Sequence, residues 1–151
     1  MKASKLFMVA GVMIIFPTMM IAQIDTLSQE MVSMSDTYQK PYKVGGVYYK
    51  TNETIPFTGV LFGKYANGRY LSIQEYKNGI GNGTWINYYP NGQLKEVGTY
   101  RDNRVEGAIK QYYENGNLKA EGTYAHWRKK VGKWNFYDQD GNLTRSQTYP
   151  Q

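Results

Sequence analysis

Apolar and polar positions repeat along the chain from Gly59 to Tyr149, in four units that start 24 or 25 residues apart. Each unit opens with Gly, has a large apolar residue two positions later, continues with one or two aromatic residues and closes on Tyr. An Asn-Gly or Asp-Gly dipeptide lies near the middle of every unit. The units are residues 59–76, 83–100, 107–124 and 132–149. A fixed period of this length is typical of an array built from one supersecondary unit.

Each unit predicts one β-hairpin, because Asn-Gly or Asp-Gly between β-type runs favours a two-residue type I′ turn. The second unit then has the cross-strand pairs Tyr89–Leu94, Asn87–Glu96, Trp85–Gly98 and Gly83–Tyr100. The third pairs Ile109 with Gly122 and Gly107 with Tyr124 in the same way. Large side chains thus cover glycines across the ladder, which stabilises glycine in a sheet. The period-2 alternation puts Trp85 and Tyr89 on one face and Ile86 and Tyr88 on the other.

The hairpins are expected to follow one another in an all-β, up-and-down antiparallel meander. Further turns between them are predicted at Asn78-Gly79 and Asp102-Asn103, and no helical period follows the first segment of the chain. Four units give eight strands, and residues 46–50 offer a ninth at the front. Residues 46–151 form the predicted repeat domain. Residues 23–45 form a flexible lead-in, with a short helix at Thr26–Met34 as an alternative.

Residues 1–22 have the pattern of a secretory signal peptide, with Lys2 and Lys5 before an apolar run and Ala22 at a cleavage position. The alternative is an uncleaved membrane anchor, although Gly11 and Pro17 interrupt a run that is short for a spanning helix. We therefore expect an exported protein, periplasmic or secreted. Without residues 1–22 the chain keeps 16 basic and 12 acidic residues, a net charge of +4. This mild charge and the predicted export make nucleic acid an unsuitable partner.

The repeat resembles a known family. The pattern Gly-x-Trp-x-x-Tyr-Tyr-x-Asn-Gly-x-Leu-Lys-x-x-Gly-x-Tyr, at residues 83–100 and with Ile for Trp at 107–124, is similar to the MORN-repeat variant of bacterial proteins. The resemblance covers residues 46–149 and implies an extended, twisted sheet of stacked hairpins. It also implies a protein-interaction or membrane-associated scaffold. Many bacterial members are labelled as antitoxins, but an antitoxin of a cytoplasmic toxin would carry no export signal, so this alternative becomes an immunity-type role in the envelope.

Candidate chemistry is sparse. The chain has no Cys and one His, His126, so neither a disulfide framework nor a zinc site is expected. No Gly-x-Ser-x-Gly motif supports a catalytic triad, and the glycines occupy hairpin positions rather than a phosphate-binding loop. Glutamates such as Glu96 and Glu121 are more typical of a solvated repeat face than of a glycosidase pair. The sequence therefore predicts neither an enzyme nor a cofactor.

Aromatic residues are the first candidate binding surface. A single-layer sheet cannot bury both of its faces, so some rings are expected to be available to a protein or peptide partner in the envelope. The simpler interpretation is that most rings stabilise the sheet as cross-strand pairs. The candidate partner-binding residues are Trp85, Tyr89, Tyr113 and Trp134.

The connection between the third and fourth units is the second candidate. It has one extra residue and concentrates cations beside an aromatic ring, a combination that suits an anionic lipid head group or an acidic glycan. The simpler alternative is a solvated charged loop with Trp127 packed on the last hairpin. The candidate anion-binding residues are Trp127, Arg128, Lys129, Lys130 and Lys133.

Overall fold

The computed structural model describes Ile24, Thr26 and residues 28–151, so the predicted signal segment, residues 1–22, lies outside the described residues. Nearly every regular element described is a strand. The strands are β1 (Met31–Ser33), β2 (Thr37–Pro41), β3 (Gly46–Lys50), β4 (Gly59–Lys64), β5 (Tyr70–Lys77), β6 (Ile80–Tyr88), β7 (Leu94–Arg101), β8 (Arg104–Val105), β9 (Gly107–Tyr112), β10 (Leu118–Ala125), β11 (Lys129–Tyr137) and β12 (Leu143–Tyr149). A short 3₁₀ helix, Met34–Asp36, separates β1 from β2. No helix in the described part of the chain is long and apolar enough to cross a bilayer.

The main sheet contains the four predicted hairpins, which are β4–β5, β6–β7, β9–β10 and β11–β12. Its strand order is β1-β4-β5-β6-β7-β9-β10-β11-β12, with the short β8 paired to β7. The order follows the sequence from β4 to β12 and the pairing there is antiparallel. The prediction of an all-β meander of stacked hairpins is therefore confirmed.

The turn inside each hairpin differs from the predicted type I′ turn. Gly92 has a φ of 90°, whereas Asn91 has no positive φ. The N–H of Gly92 donates to the carbonyl of Tyr89, and the N–H of Tyr89 donates to the carbonyl of Gln93, both over 2.8 Å. This is a type I turn followed by a left-handed glycine. Asn91 favours it because its Oδ1 accepts the N–H of Gln93 over 2.9 Å, a local bond that needs no positive φ at Asn91.

The longer turn changes the register beside it. Leu94 pairs with Tyr88, so the predicted Tyr89–Leu94 pair is wrong. A register irregularity between Asn87 and Tyr88 then restores the pairing expected further along the strands. The confirmed pairs are Asn87–Glu96, Trp85–Gly98, Gly83–Tyr100, Ile109–Gly122 and Gly107–Tyr124.

Type I′ geometry occurs between the hairpins instead. Asn78 and Gly79 have φ values of 51° and 75°, and Asp102 and Asn103 have values of 50° and 61°. Two consecutive positive φ angles define this turn, and the two-residue connection suits the twist of the flanking strands. The two connections predicted at these dipeptides are therefore present as tight turns.

The lead-in carries regular structure. Met31–Ser33 (β1) pairs in parallel with β4 and covers the edge of the main sheet, so the helix considered for Thr26–Met34 is not formed. Gly46–Lys50 (β3) is a strand, but it pairs with β2 in a separate two-stranded sheet and is not the ninth strand of the main sheet. The ring of Tyr48 packs edge-to-face on that of Tyr76, with centroids 5.0 Å apart. The small sheet therefore lies over one end of the main sheet, and the predicted domain boundary at residue 46 falls inside its hairpin.

Consecutive hairpins are joined by side chains at their turns. In each of the first three hairpins a Tyr hydroxyl and an Asn amide donate to backbone carbonyls of the hairpin that follows. The Tyr bonds are Tyr65 to Tyr88, Tyr89 to Tyr112 and Tyr113 to Tyr137, at 2.8, 2.9 and 2.8 Å. The Asn bonds are Asn67 to Pro90, Asn91 to Glu114 and Asn115 to Gln139, at 2.9, 3.0 and 2.9 Å. We call these six donor residues the turn ladder.

The fourth hairpin ends the turn ladder. Asp138 and Asp140 occupy the positions that hold Tyr and Asn in the earlier hairpins. The N–H groups of Asn142 and Asp140 donate to Oδ1 of Asp138 over 2.8 and 3.0 Å, and these bonds lower the pKa of its carboxyl group. A carboxylate has no proton to donate to a further repeat. The last turn is therefore satisfied within itself, as expected for the terminal unit of a repeat array.

Both faces of the main sheet contain buried apolar clusters. We call the side that carries Trp85, Ile109 and Trp134 the Trp face, and these three side chains are at most 1% exposed. The same face carries a second cluster around Leu61 and Tyr76, beside the small sheet. Ile24, Val60 and Ile73 form a third cluster, and the alternation between Val60 and Leu61 places it on the opposite side.

The turn ladder predicts an asymmetry between the inner and the last repeat. Asn91→Asp keeps an acceptor for the N–H of Gln93 but removes the donor to the Glu114 carbonyl, so the free energy of unfolding should fall by about 1–2 kcal/mol. The matched control is Asp140→Asn, because no further hairpin adjoins this turn in the described part of the chain, and its effect should stay within about 0.5 kcal/mol. Urea unfolding followed by Trp fluorescence measures both. Equal effects of the two substitutions would show that the ladder does not stabilise the array.

Candidate functional site

The two predicted tryptophans lie in the core of the Trp face. Trp85 is 1% exposed and Trp134 is 0% exposed, because the closing tyrosines of the repeats pack over them. The ring centroids of Trp85 and Tyr100 are 5.6 Å apart, and those of Trp134 and Tyr124 are 4.9 Å apart. The structure therefore places Trp85 and Trp134 out of reach of a partner.

Tyr89 and Tyr113 belong to the turn ladder. Both are half-buried, and both hydroxyls donate to the next hairpin. The ammonium groups of Lys95 and Lys119 lie 5.6 and 5.4 Å from the centroids of these two rings. Both ends of each side chain therefore have contacts within the array, and each ring keeps part of its surface exposed.

The connection between β10 and β11 contains a strained turn. His126, Trp127 and Arg128 have φ values of 44°, 66° and 61°, a left-handed conformation that is unfavourable for residues with a Cβ. The turn directs Trp127 outward, where it is 55% exposed. It also sends Arg128 back over the Trp face, where the guanidinium lies 5.8 Å from the ring centroid of Trp85.

Arg128 faces a largely buried carboxylate on the Trp face. Its Nη2 lies 3.8 Å from Oε1 of Glu96, too far for a hydrogen bond, and that oxygen accepts no hydrogen bond from the described residues. The Glu96 side chain is only 12% exposed. Burial raises the pKa of the Glu96 carboxyl group, and the Arg128 charge offsets this increase only in part.

Two further cations lie over aromatic rings at the end of the array. The ammonium of Lys130 is 4.6 Å from the centroid of Trp134, 4.8 Å from that of Phe136 and 5.5 Å from that of Tyr149. The guanidinium of Arg145 is 4.3 Å from the centroid of Phe136. Among the described residues, neither cation forms an ion pair, so the positive charge of each is available to an anionic ligand. We call Lys130, Phe136, Arg145 and Tyr149 the cationic-aromatic patch.

The predicted basic residues do not converge on one point. Arg128 is engaged with Glu96 and Trp85, whereas Lys130 belongs to the cationic-aromatic patch. Lys129 is exposed beside the turn, and Lys133 is exposed with the alternation placing it opposite the neighbouring Trp134. Of the five predicted residues, only Trp127, Lys129 and Lys133 point to solvent without a contact to the Trp face.

Phe136, Arg145 and Tyr149 were missed as site residues. Phe136 pairs with Arg145 across the last hairpin, on the same face as Trp134. Counting cross-strand pairs outward from the Asp140-Gly141 turn predicts the pair Phe136–Arg145. The sequence analysis instead selected residues at positions that recur in every repeat, and the residues at the end of the array were not among them. The end differs because, among the described residues, no hairpin pairs with β12 on its outer side.

The carboxylates are separated. Glu96 faces Gln111 on the Trp face, whereas Glu121 pairs with Lys110 and therefore points to the other side. Glu121 accepts the hydroxyl of Tyr137 over 2.8 Å and lies 3.8 Å from the ammonium of Lys110. Glu96 and Glu121 thus cannot act as a pair across one substrate. Among the described residues, no group of three His, Asp or Glu side chains is placed to hold a metal ion.

Residues 82–102, 105–126 and 130–149 each match the family model of the MORN repeat variant. These ranges coincide with the second, third and fourth hairpins. Residues 82–149 therefore carry three MORN repeats. MORN repeats form scaffolds for binding and are generally non-catalytic. The first hairpin lies outside the matched residues but contributes Tyr65 and Asn67 to the turn ladder. No curated protein shows significant similarity to the chain.

The buried Glu96 predicts a pH-dependent stability. A carboxyl group with a raised pKa binds its proton more tightly in the folded state, so its contribution to stability is fully present below its ordinary pKa of about 4.5 and falls as the pH rises. Glu96→Gln has no ionisable group at this position, so the variant does not lose stability in this way as the pH rises. The gain in unfolding midpoint of the variant over the wild type should therefore increase between about pH 4 and about pH 7.

Thermal unfolding over a pH series measures this gain. Glu114→Gln, at an exposed turn position, is the matched control and should give no comparable trend. A gain for Glu96→Gln that is constant across the series would contradict the assignment of a raised pKa to Glu96.

Proposed function

We propose that this MORN-repeat protein is an exported, non-enzymatic scaffold whose cationic-aromatic patch binds an acidic segment of an envelope protein. The observation that carries the proposal is the position of Lys130 and Arg145 over Phe136, with no ion pair to either cation among the described residues. A carboxylate that approaches such a cation gains electrostatic attraction, and the rings below it supply contact area. The net charge of +4 without residues 1–22 favours the same class of partner.

The open edge of β12 supports an extended partner segment. Among the described strands, β12 is paired on one side only and six of its seven residues are exposed. Such an edge offers unpaired N–H and C=O groups to an added strand. Arg145 and Tyr149 belong to this strand, so a peptide paired with β12 would bring alternate side chains to the patch. Backbone pairing would supply affinity and the cations would select acidic side chains.

Export is part of the proposal and is supported by the sequence of residues 1–22. Two lysines precede an apolar run that ends at Ala22, the order found in secretory signals. An envelope or extracellular location would make another exported protein the natural partner.

An anionic lipid or acidic glycan is the second candidate ligand. The supporting observation is Trp127, which is 55% exposed beside the exposed Lys129. An exposed Trp with neighbouring cations is suited to the interface of an anionic membrane. This candidate uses the strained turn rather than the patch, so separate variants distinguish the two.

The binding proposal is tested with a fluorescein-labelled peptide of alternating Glu and Thr. The double variant Lys130→Glu, Arg145→Glu should weaken binding by about tenfold or more, and wild-type binding should weaken with salt. The control is Lys43→Glu, Lys77→Glu, which changes the net charge equally at exposed lysines outside the patch. Loss of binding in both double variants would show that net charge, and not the cationic-aromatic patch, determines binding of the peptide. Loss of phosphatidylglycerol-vesicle binding in Trp127→Ser, with peptide binding absent throughout, would favour the lipid candidate.

Export is tested by expressing the full-length gene in a Gram-negative host and determining the N-terminus by mass spectrometry. We expect a chain that begins near Gln23 in the periplasm or medium, because Ala22 precedes it at the cleavage position. Ile14→Arg, which interrupts the apolar run, should leave an intact chain in the cytoplasm. An intact Met1 in the membrane fraction would contradict cleavage and make residues 6–22 an anchor.

A further inference from the structure

A small cavity lies between the β2–β3 hairpin and the Trp face, far from the cationic-aromatic patch in the array. Its volume is about 210 Å³. Its side-chain lining consists of Gln39, Tyr48, Gln74, Tyr76, Tyr100 and Asn103. One wall therefore comes from the small sheet and the other from the first two repeats and the turn that follows them.

The side chain of Asn103 forms hydrogen bonds to both walls of the cavity. Its Nδ2 donates to the carbonyls of Val44 and Gly46 over 2.8 and 3.1 Å, and its Oδ1 accepts the N–H of Gly81 over 2.6 Å. Asn103 is held in this position by the type I′ turn, where its φ is 61°. Three bonds from one side chain fix the opening of the cavity, so the site is formed before any ligand arrives.

The lining is neutral and rich in groups that both donate and accept. None of the lining residues carries a formal charge. The hydroxyl of Tyr76 donates to Oε1 of Gln74 over 2.9 Å. Burial raises the pKa of both Tyr76 and Tyr100, so their hydroxyls stay protonated. The carboxamides of Gln39 and Gln74 add further donors and acceptors.

These properties restrict the class of ligand. An ion would find no countercharge on the lining residues, and an apolar molecule would offer no hydrogen-bond partner to the carboxamide of Gln39. The volume lies below the lower limit of about 300 Å³ for drug-sized pockets, which indicates a single small ring. A sugar ring combines hydroxyl groups with polarised C–H bonds, and the latter are attracted to the electron-rich faces of aromatic rings.

We propose that this cavity binds one neutral sugar residue. The hydroxyl groups of the sugar exchange hydrogen bonds with Gln39, Gln74 and the tyrosine hydroxyls, and its C–H face packs on the tyrosine rings. The ligand is a free sugar or the terminal residue of a neutral glycan. The site is separate from the acidic-peptide site and does not depend on it.

The test is a nuclear magnetic resonance titration of the ¹⁵N-labelled protein with the methyl glycosides of glucose, galactose, mannose and N-acetylglucosamine. At least one should cause saturable shifts at the side-chain amides of Gln39, Gln74 and Asn103, with a Kd in the range of about 1 mM or below. Glucuronic acid and glucosamine, which carry charges, should bind about tenfold more weakly. The absence of saturable shifts with all four glycosides would overturn the proposal.

Variants locate the binding. Gln39→Ala, at a cavity-lining residue that is exposed overall, and Gln74→Ala should each weaken binding by about tenfold, with a circular dichroism spectrum that confirms the fold. Gln93→Ala, at the exposed turn of the second repeat, is the matched control and should bind as the wild type does. If Gln74→Ala fails to fold, the comparison of Gln39→Ala with Gln93→Ala decides whether the cavity binds the sugar. Equal affinity of Gln39→Ala and Gln93→Ala would also overturn the proposal, and tighter binding of a charged sugar would assign a different ligand class.

Discussion

The hydrogen bonds of the turn ladder are the interaction on which the rest of the fold depends. An isolated two-stranded hairpin is only marginally stable in water, and a repeat array gains its stability from contacts between neighbours. Tyr89 and Asn91 each donate to one defined carbonyl of the next hairpin, so they fix the position of one turn against the next. Because a slip of one residue would exchange the two faces of a strand, the ladder also decides which rings reach the Trp face.

The single-layer sheet then determines where a binding surface can lie. Rings on the Trp face pack against rings of the neighbouring repeats, and Trp85 and Trp134 are buried as a result. At the front, Tyr48 of the small sheet covers Tyr76. Behind the fourth hairpin no further repeat is described, so Phe136 and Tyr149 remain partly exposed with Lys130 and Arg145 over them. The end of the array is therefore one place where aromatic area and unpaired charge coincide.

The sequence predicts local pairing much better than contacts between distant segments. The 24-residue period and the Gly opposite Trp85 were sufficient to obtain the hairpins and most of their register. The Asn-Gly dipeptide was not sufficient for the turn type, because the Asn91 side chain stabilises a type I turn and bonds to the next repeat. The parallel pairing of β1 with β4 joins segments that share no local signal. For the same reason the cavity between the small sheet and the Trp face could not be predicted.

The one departure from the period is where local preferences are most strongly violated. Three consecutive left-handed residues, His126 to Arg128, are individually unfavourable, and Glu96 is a carboxylate largely removed from water. The two features meet in one contact, since the turn delivers Arg128 to Glu96 and the ring of Trp85. The attraction between the charges offsets part of both costs. Violations of this kind persist where the surrounding structure enforces them and concentrate at functional sites. Here the contact of Arg128 with Glu96 and the ring of Trp85 holds the left-handed backbone of the turn in place.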